Sequence, residues 1–75
     1  MADFRLKGHD YIPLNDLLKV LHLVGTGGEA NARIANGEVL VNGAVETQKR
    51  KKLRAGDRVE FGSMTVLIRE EKHGS

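Results

Sequence analysis

Cysteine and tryptophan are absent from this sequence, and Phe4, Tyr11 and Phe61 are its only aromatic residues. Without thiols there is no disulfide framework, no thiolate metal site and no cysteine nucleophile, so stability has to come from aliphatic packing. That agrees with a reducing cytoplasm, the compartment expected here. No apolar run approaches the roughly 20 residues of a membrane-spanning helix, and no membrane partner is expected. The start, Met1-Ala2-Asp3-Phe4-Arg5, lacks the cation followed by an apolar run that marks a secretory leader. The chain is therefore expected to be soluble and unprocessed. Seventy-five residues support one domain over 1–75. So short a chain buries only about 60% of its unfolded surface, which leaves little room for a cavity that takes a small-molecule substrate.

Charge is nearly balanced overall, at +2, but it is unevenly placed. Of twelve Lys and Arg, six (Lys49, Arg50, Lys51, Lys52, Arg54 and Arg58) fall within ten residues that hold one acid, Asp57. The rest of the chain carries six cations against nine acids, so one basic segment stands on a slightly acidic background. A run of cations is often only a solvated face. Local asymmetry of this kind is also the footprint of a surface that meets phosphates.

The segment from Ile34 to Lys52 organises the rest. Gly37 suits the left-handed position that closes a helix, and Val39-Leu40-Val41 followed by Asn42-Gly43 predicts a hairpin with a type I′ turn. Upstream, Phe4 and Leu6 alternate with Asp3, Arg5 and Lys7, which predicts a short edge strand. Pro13 suits a first helical turn, and Leu14, Leu17, Leu18 and Leu21 follow the i, i+3, i+4, i+7 spacing of one buried stripe. This predicts a helix that runs to Gly25, widened on its apolar side by Val20, Leu23 and Val24, with His22 half-buried at the stripe's edge. Thr26-Gly27-Gly28-Glu29 has the form of a capping box: the Thr26 hydroxyl accepts from the N–H of Glu29, whose carboxylate reaches back to the N–H of Thr26. A second helix then runs to about Asn36 with Ala30 and Ile34 inward. Arg54-Ala55-Gly56-Asp57 predicts a turn, Arg58 to Phe61 a strand, Gly62-Ser63 another reversal, and Met64, Val66 and Ile68 one face of a last strand. The tail over 70–75 is polar and expected to fray.

Catalytic patterns are lacking. Ser63 lies in a predicted turn and Ser75 in the tail, and His9, His22 and His73 have no spacing that would make one of them a base for either serine. Adjacent side chains such as His9 and Asp10 point apart on an extended chain. With no His-x-x-x-His pair and no clustered acids, no metal and no cofactor are expected. Gly25-Thr26-Gly27-Gly28 lacks the Lys-Ser/Thr of a nucleotide-binding loop. It does set backbone N–H groups, unobstructed by side chains, at a helix start, where the dipole favours an anion. Two uses remain open for these glycines, a phosphate site or only a tight turn between helices. Arg33, Arg54 and Arg58 would join the Lys49 to Lys52 run in one patch if the hairpin folds back on the helix pair.

The order Leu14-Asn15-Asp16-Leu17-Leu18, then Thr26-x-x-Glu29-Ala30-x-x-x-Ile34-x-x-Gly37-x-Val39-x-Val41-Asn42-Gly43, then Leu53-x-x-Gly56-Asp57-x-Val59, resembles the S4 RNA-binding domain, in a small stand-alone bacterial form. The resemblance covers roughly residues 14–61. It implies an α+β fold in which two short helices pack on a small, strongly bent, mostly antiparallel sheet and present a basic αL motif to RNA. Carried over by position, the RNA face would hold Thr26, Gly27, Gly28, Arg33, Lys49, Arg50, Lys51, Lys52 and Arg54. In place of the Ser-Arg pair that commonly opens the family's second helix, this chain has Thr26 and Gly27, so the glycine amides and the cationic segment would take over that contact. The expected partner is structured RNA of ribosomal or tRNA-like type, bound without catalysis by a monomeric or weakly associating protein. The alternative is an adaptor whose basic patch docks an acidic protein.

Overall fold

Alternation at the N-terminus gives the first strand, β1 (Ala2–Arg5), in a computed structural model that describes residues 2–70. A two-residue strand, β2 (Ile12–Pro13), leads directly into α1 (Leu14–Val20), and Pro13 is its N-cap. The second helix, α2 (Gly27–Ala35), is followed by β3 (Val39–Val41) and β4 (Ala44–Val45). Then come β5 (Lys52–Leu53), β6 (Arg58–Phe61) and β7 (Met64–Arg69). The main sheet has the order β1-β7-β6-β3-β4; β1 runs parallel to β7 and every other pairing in it is antiparallel. A separate ribbon pairs β2 with β5. This is the expected α+β architecture of two helices on a mostly antiparallel sheet. The tail beyond Glu70, with His73 and Ser75, lies outside the described residues.

The core is aliphatic, as the lack of aromatics requires. Leu14, Leu17 and Leu18 of α1 meet Ala30 and Ile34 of α2, and the sheet contributes Val39, Val59, Val66 and Ile68. Leu53 closes it from the small ribbon. The hairpin turn is as expected, with Asn42 at φ 53° and Gly43 at φ 86°, the pair of positive values that a type I′ turn needs.

The first helix differs from its prediction. It stops at Val20, although the leucine stripe continues, because His22 turns into the left-handed region at φ 58°. The His22 N–H then donates to the Lys19 carbonyl and the Leu23 N–H to the Leu18 carbonyl, the bond pair of a Schellman ending. Gly37 ends α2 in the same way, with N–H bonds from Gly37 to Ile34 and from Glu38 to Arg33. Leaving the helix early has three consequences. Leu21 is only half-buried, Val20 is 52% exposed rather than part of a widened apolar side, and His22 is an exposed turn residue rather than a half-buried helical one.

Candidate nucleic-acid interface

Thr26 caps α2 as its sequence suggests: its Oγ1 accepts from the Glu29 N–H at 3.1 Å. The return contact is displaced by one residue. Glu29 Oε1 accepts from the N–H of Gly25 at 2.8 Å rather than from Thr26, which has the extended backbone usual for an N-cap. Gly27 and Gly28 both lie in the helix and neither has a positive φ. Neither carries a side chain that would shield its own backbone. A Cβ built on Gly27 would lie 3.7 Å from Cδ and 3.9 Å from Nζ of Lys19, so the Lys19 side chain runs across the first turn of α2. Lys19 is absent from the residues that the sequence pattern points to, although its place in the last turn of α1, one short connection from the next helix start, is a usable signal.

The cationic run is held by backbone rather than by side chains. A turn closed by the bond from Lys51 N–H to the Gln48 carbonyl puts Lys49 and Arg50 at its tip. The carbonyls of Lys51 and Lys49 accept from the N–H groups of Leu14 and Asn15, both at 2.9 Å, and so cap the start of α1, which has no side-chain cap. Lys49, Arg50 and Lys52 are exposed and Lys51 is half-buried. Lys52 places its ammonium 5.0 Å from the centre of the Tyr11 ring, a cation–π contact. From that end of α1 a hydrogen bond of 3.2 Å links Asn15 to Asn31 on α2. The loop is thus bonded to the start of α1 and α1 to α2, with cations at both ends of α1.

The remaining predicted residues sit differently. Arg33 donates to Glu38 at 3.0 Å and faces Glu29 at 3.6 Å; the hydrogen bond and charge of Glu38, with Glu29 adding to them, hold its pKa above the ordinary value. Its guanidinium is engaged by two carboxylates. Arg54 is exposed beside the turn in which its N–H donates to Asp57 Oδ2 at 2.8 Å. Arg58 faces Glu60 at 3.7 Å. Asn42, besides making the hairpin turn, donates from Nδ2 to Asp57 at 3.0 Å and accepts at Oδ1 from the Arg58 N–H at 2.9 Å. The Asn-Gly and Gly-Asp segments of the sequence pattern are therefore latched together. Among the described residues no group of three or more His, Asp or Glu could hold a metal ion, and no helix is long and apolar enough to cross a membrane.

Two helices on a mixed sheet, with a basic loop capping the first helix, define a small α+β module of the S4 type. The chain belongs to the S4 domain family, whose model matches residues 4–69. It is similar to YbcJ of Escherichia coli (strain K12), with 44% identity over 68 residues that cover 91% of this chain and 97% of that protein. YbcJ of Shigella flexneri matches with the same identity and coverage. The solution structure of YbcJ from E. coli, described as having an αL motif involved in RNA binding, superposes with a TM-score of 0.71 at 43% identity, over 92% of this chain and 87% of that one. The small stand-alone bacterial form anticipated from sequence is the one matched.

Proposed function

We propose that the chain is a non-catalytic module of the cytoplasm that binds structured RNA, of ribosomal or tRNA-like type, as a monomer or weak oligomer. The observation that carries this reading is the capping of α1 by the carbonyls of Lys49 and Lys51, which fixes the cationic turn to a helix without using a charged side chain. A turn whose backbone is already held loses less conformational entropy when its cations meet phosphates. Lys49, Arg50, Lys51 and Lys52 supply most of the affinity, and Arg54 extends their reach. Thr26, Gly27 and Gly28 offer a second phosphate the backbone of a helix start beside Lys19. Arg33 contributes least, since reaching a phosphate would take it away from Glu29 and Glu38. With few aromatics for stacking unpaired bases, shape and charge carry the preference for folded RNA.

The test is a titration against a hairpin RNA, the matching single strand and an acidic polypeptide over a range of salt. If some four to six phosphates are neutralised, log K falls against log salt with a slope of roughly −3 to −5. Hairpin affinity that is indifferent to salt refutes the phosphate reading. Tighter binding of the acidic polypeptide than of either RNA replaces it with the adaptor reading.

A further inference from the structure

Between β1, the loop after it and the start of α1 lies a concavity of about 330 Å³, which Phe4, Leu6 and Ile12 line with apolar surface and His9, Tyr11 and Asp16 with polar groups. It is at the small end of the roughly 300–1,000 Å³ of ligand sites. Its position matters more than its size. Tyr11 is 39% exposed and carries the Lys52 ammonium over its ring, so the concavity borders the cationic loop directly. Asp16 is exposed in the first turn of α1 and its side chain makes no hydrogen bond or ion pair among the described residues. Its carboxylate is an acceptor only.

We infer that this concavity is a pocket for one unpaired guanine base of the bound RNA, with Tyr11 as its stacking surface and Asp16 as its reader. This rests on the RNA-binding reading and names the nucleotide that it selects. An ionised carboxylate accepts two parallel N–H bonds. Guanine presents two such donors side by side, N1–H and the N2 amino group. Adenine and cytosine set a ring-nitrogen acceptor beside their one amino group, and uracil flanks its one N–H with carbonyl oxygens. Those lone pairs repel a carboxylate. In a paired helix this edge of guanine is already occupied, so only a guanine in a loop, bulge or end fits, which is where sequence-specific reading of RNA is concentrated. The charges are complementary as well: the phosphates of the same nucleotide meet the Lys49 to Lys52 loop while its base donates to Asp16.

The test uses the full chain and four hairpins that differ only in one position, a bulged G, a bulged A, a bulged U or no bulge, together with free GMP and AMP followed by ¹⁵N chemical shifts. The bulged-G hairpin should bind on the order of tenfold tighter than the other three. GMP should shift the amides of Tyr11, Ile12 and Asp16 more than AMP does. Asp16→Asn, an exposed isosteric change, should abolish the preference for G. Tyr11→Ala should weaken the bulged-G hairpin more than the other three, which lose only the ring contact of Lys52, and Tyr11→Phe should retain the preference. Charge alone predicts the opposite for Asp16→Asn, an equal gain for all four hairpins, because it removes an acid beside a basic loop. That equal gain, or four equal affinities in the parent, overturns the pocket and leaves the RNA reading standing. If no hairpin binds, the RNA reading falls; GMP shifts at Tyr11 and Asp16 would then still support a guanine site, and their absence would refute both.

Discussion

Replacing Gly27 or Gly28 by alanine separates the two uses that the sequence leaves open for these glycines. Both residues are helical without positive φ, so alanine meets no backbone strain. There is space as well. The nearest atoms to a new Cβ are 3.7 Å away at position 27, on the flexible Lys19 side chain, and 3.9 Å away at position 28, on Thr26 Oγ1, both ordinary van der Waals distances. Each change should then stabilise the free protein by about 0.4–1 kcal/mol, mainly by narrowing the unfolded ensemble. For a domain of this size 1 kcal/mol corresponds to roughly 4–8 °C in Tm, so each variant should melt some 2–8 °C higher. If the bare first turn exists to admit a phosphate, the same methyl group obstructs it and hairpin affinity falls as stability rises. Thermal melts paired with RNA titrations read both quantities on one sample. A lower Tm would refute the argument from dihedral and space. A higher Tm with parental affinity would remove the helix start from the interface and leave the cationic loop to account for binding.

Three further outcomes follow from individual side chains. Changing Lys49, Arg50 and Lys51 together to alanine should lower the salt slope of hairpin binding by about 2–3, close to one for each phosphate that is no longer neutralised. The circular dichroism spectrum should be unchanged, since the bonds to Leu14 and Asn15 use backbone carbonyls. His22→Gly should raise stability by up to about 1 kcal/mol in a denaturant melt, because the left-handed turn that ends α1 costs a residue with a Cβ and not glycine. Asn42→Gly keeps the turn's dihedrals but removes the bonds to Asp57 and Arg58, and should cost about 1–3 kcal/mol in the same assay; Asn42→Ala should cost more, as it also strains the turn.

Where one residue type carries a conformational need, the structure could be read from sequence. Gly37, Asn42-Gly43 and Thr26 each announce a cap or turn, and each lies where it was expected. The end of α1 could not be read this way, because a histidine occupies the left-handed position and the leucines beyond it keep the helical spacing. The ribbon of β2 and β5 escaped for a different reason: two-residue strands have no period, and the pairing of Ile12 with Leu53 joins distant parts of the chain. Within the candidate site, the cationic run and the glycines were visible as composition. Their neighbours were not. That Lys19 crosses the first turn of α2 and that Tyr11 lies beside Lys52 depend on how the helices and the ribbon meet, whereas the carboxylates at Arg33 are local, Glu29 at i, i+4 within α2 and Glu38 five residues on, and belong to the legible part.

The ribbon explains why a basic segment should be attached to α1 at all. Lys52 and Leu53 pair with Ile12 and Pro13, so the turn before them is delivered to the start of the helix, and Leu53 anchors the delivery in the core. Pro13 has no N–H to donate and no side chain to cap α1, which leaves the amides of Leu14 and Asn15 to find carbonyls elsewhere. The cationic turn supplies them. Bringing Lys49, Arg50 and Lys51 to the positive end of a helix is unfavourable in the free protein, since the dipole adds to their mutual repulsion. A bound phosphate reverses the sign of both terms at once. If the proposed interface holds a phosphate there, the placement that works against the free chain would strengthen the complex, with Leu53 holding the turn against the core.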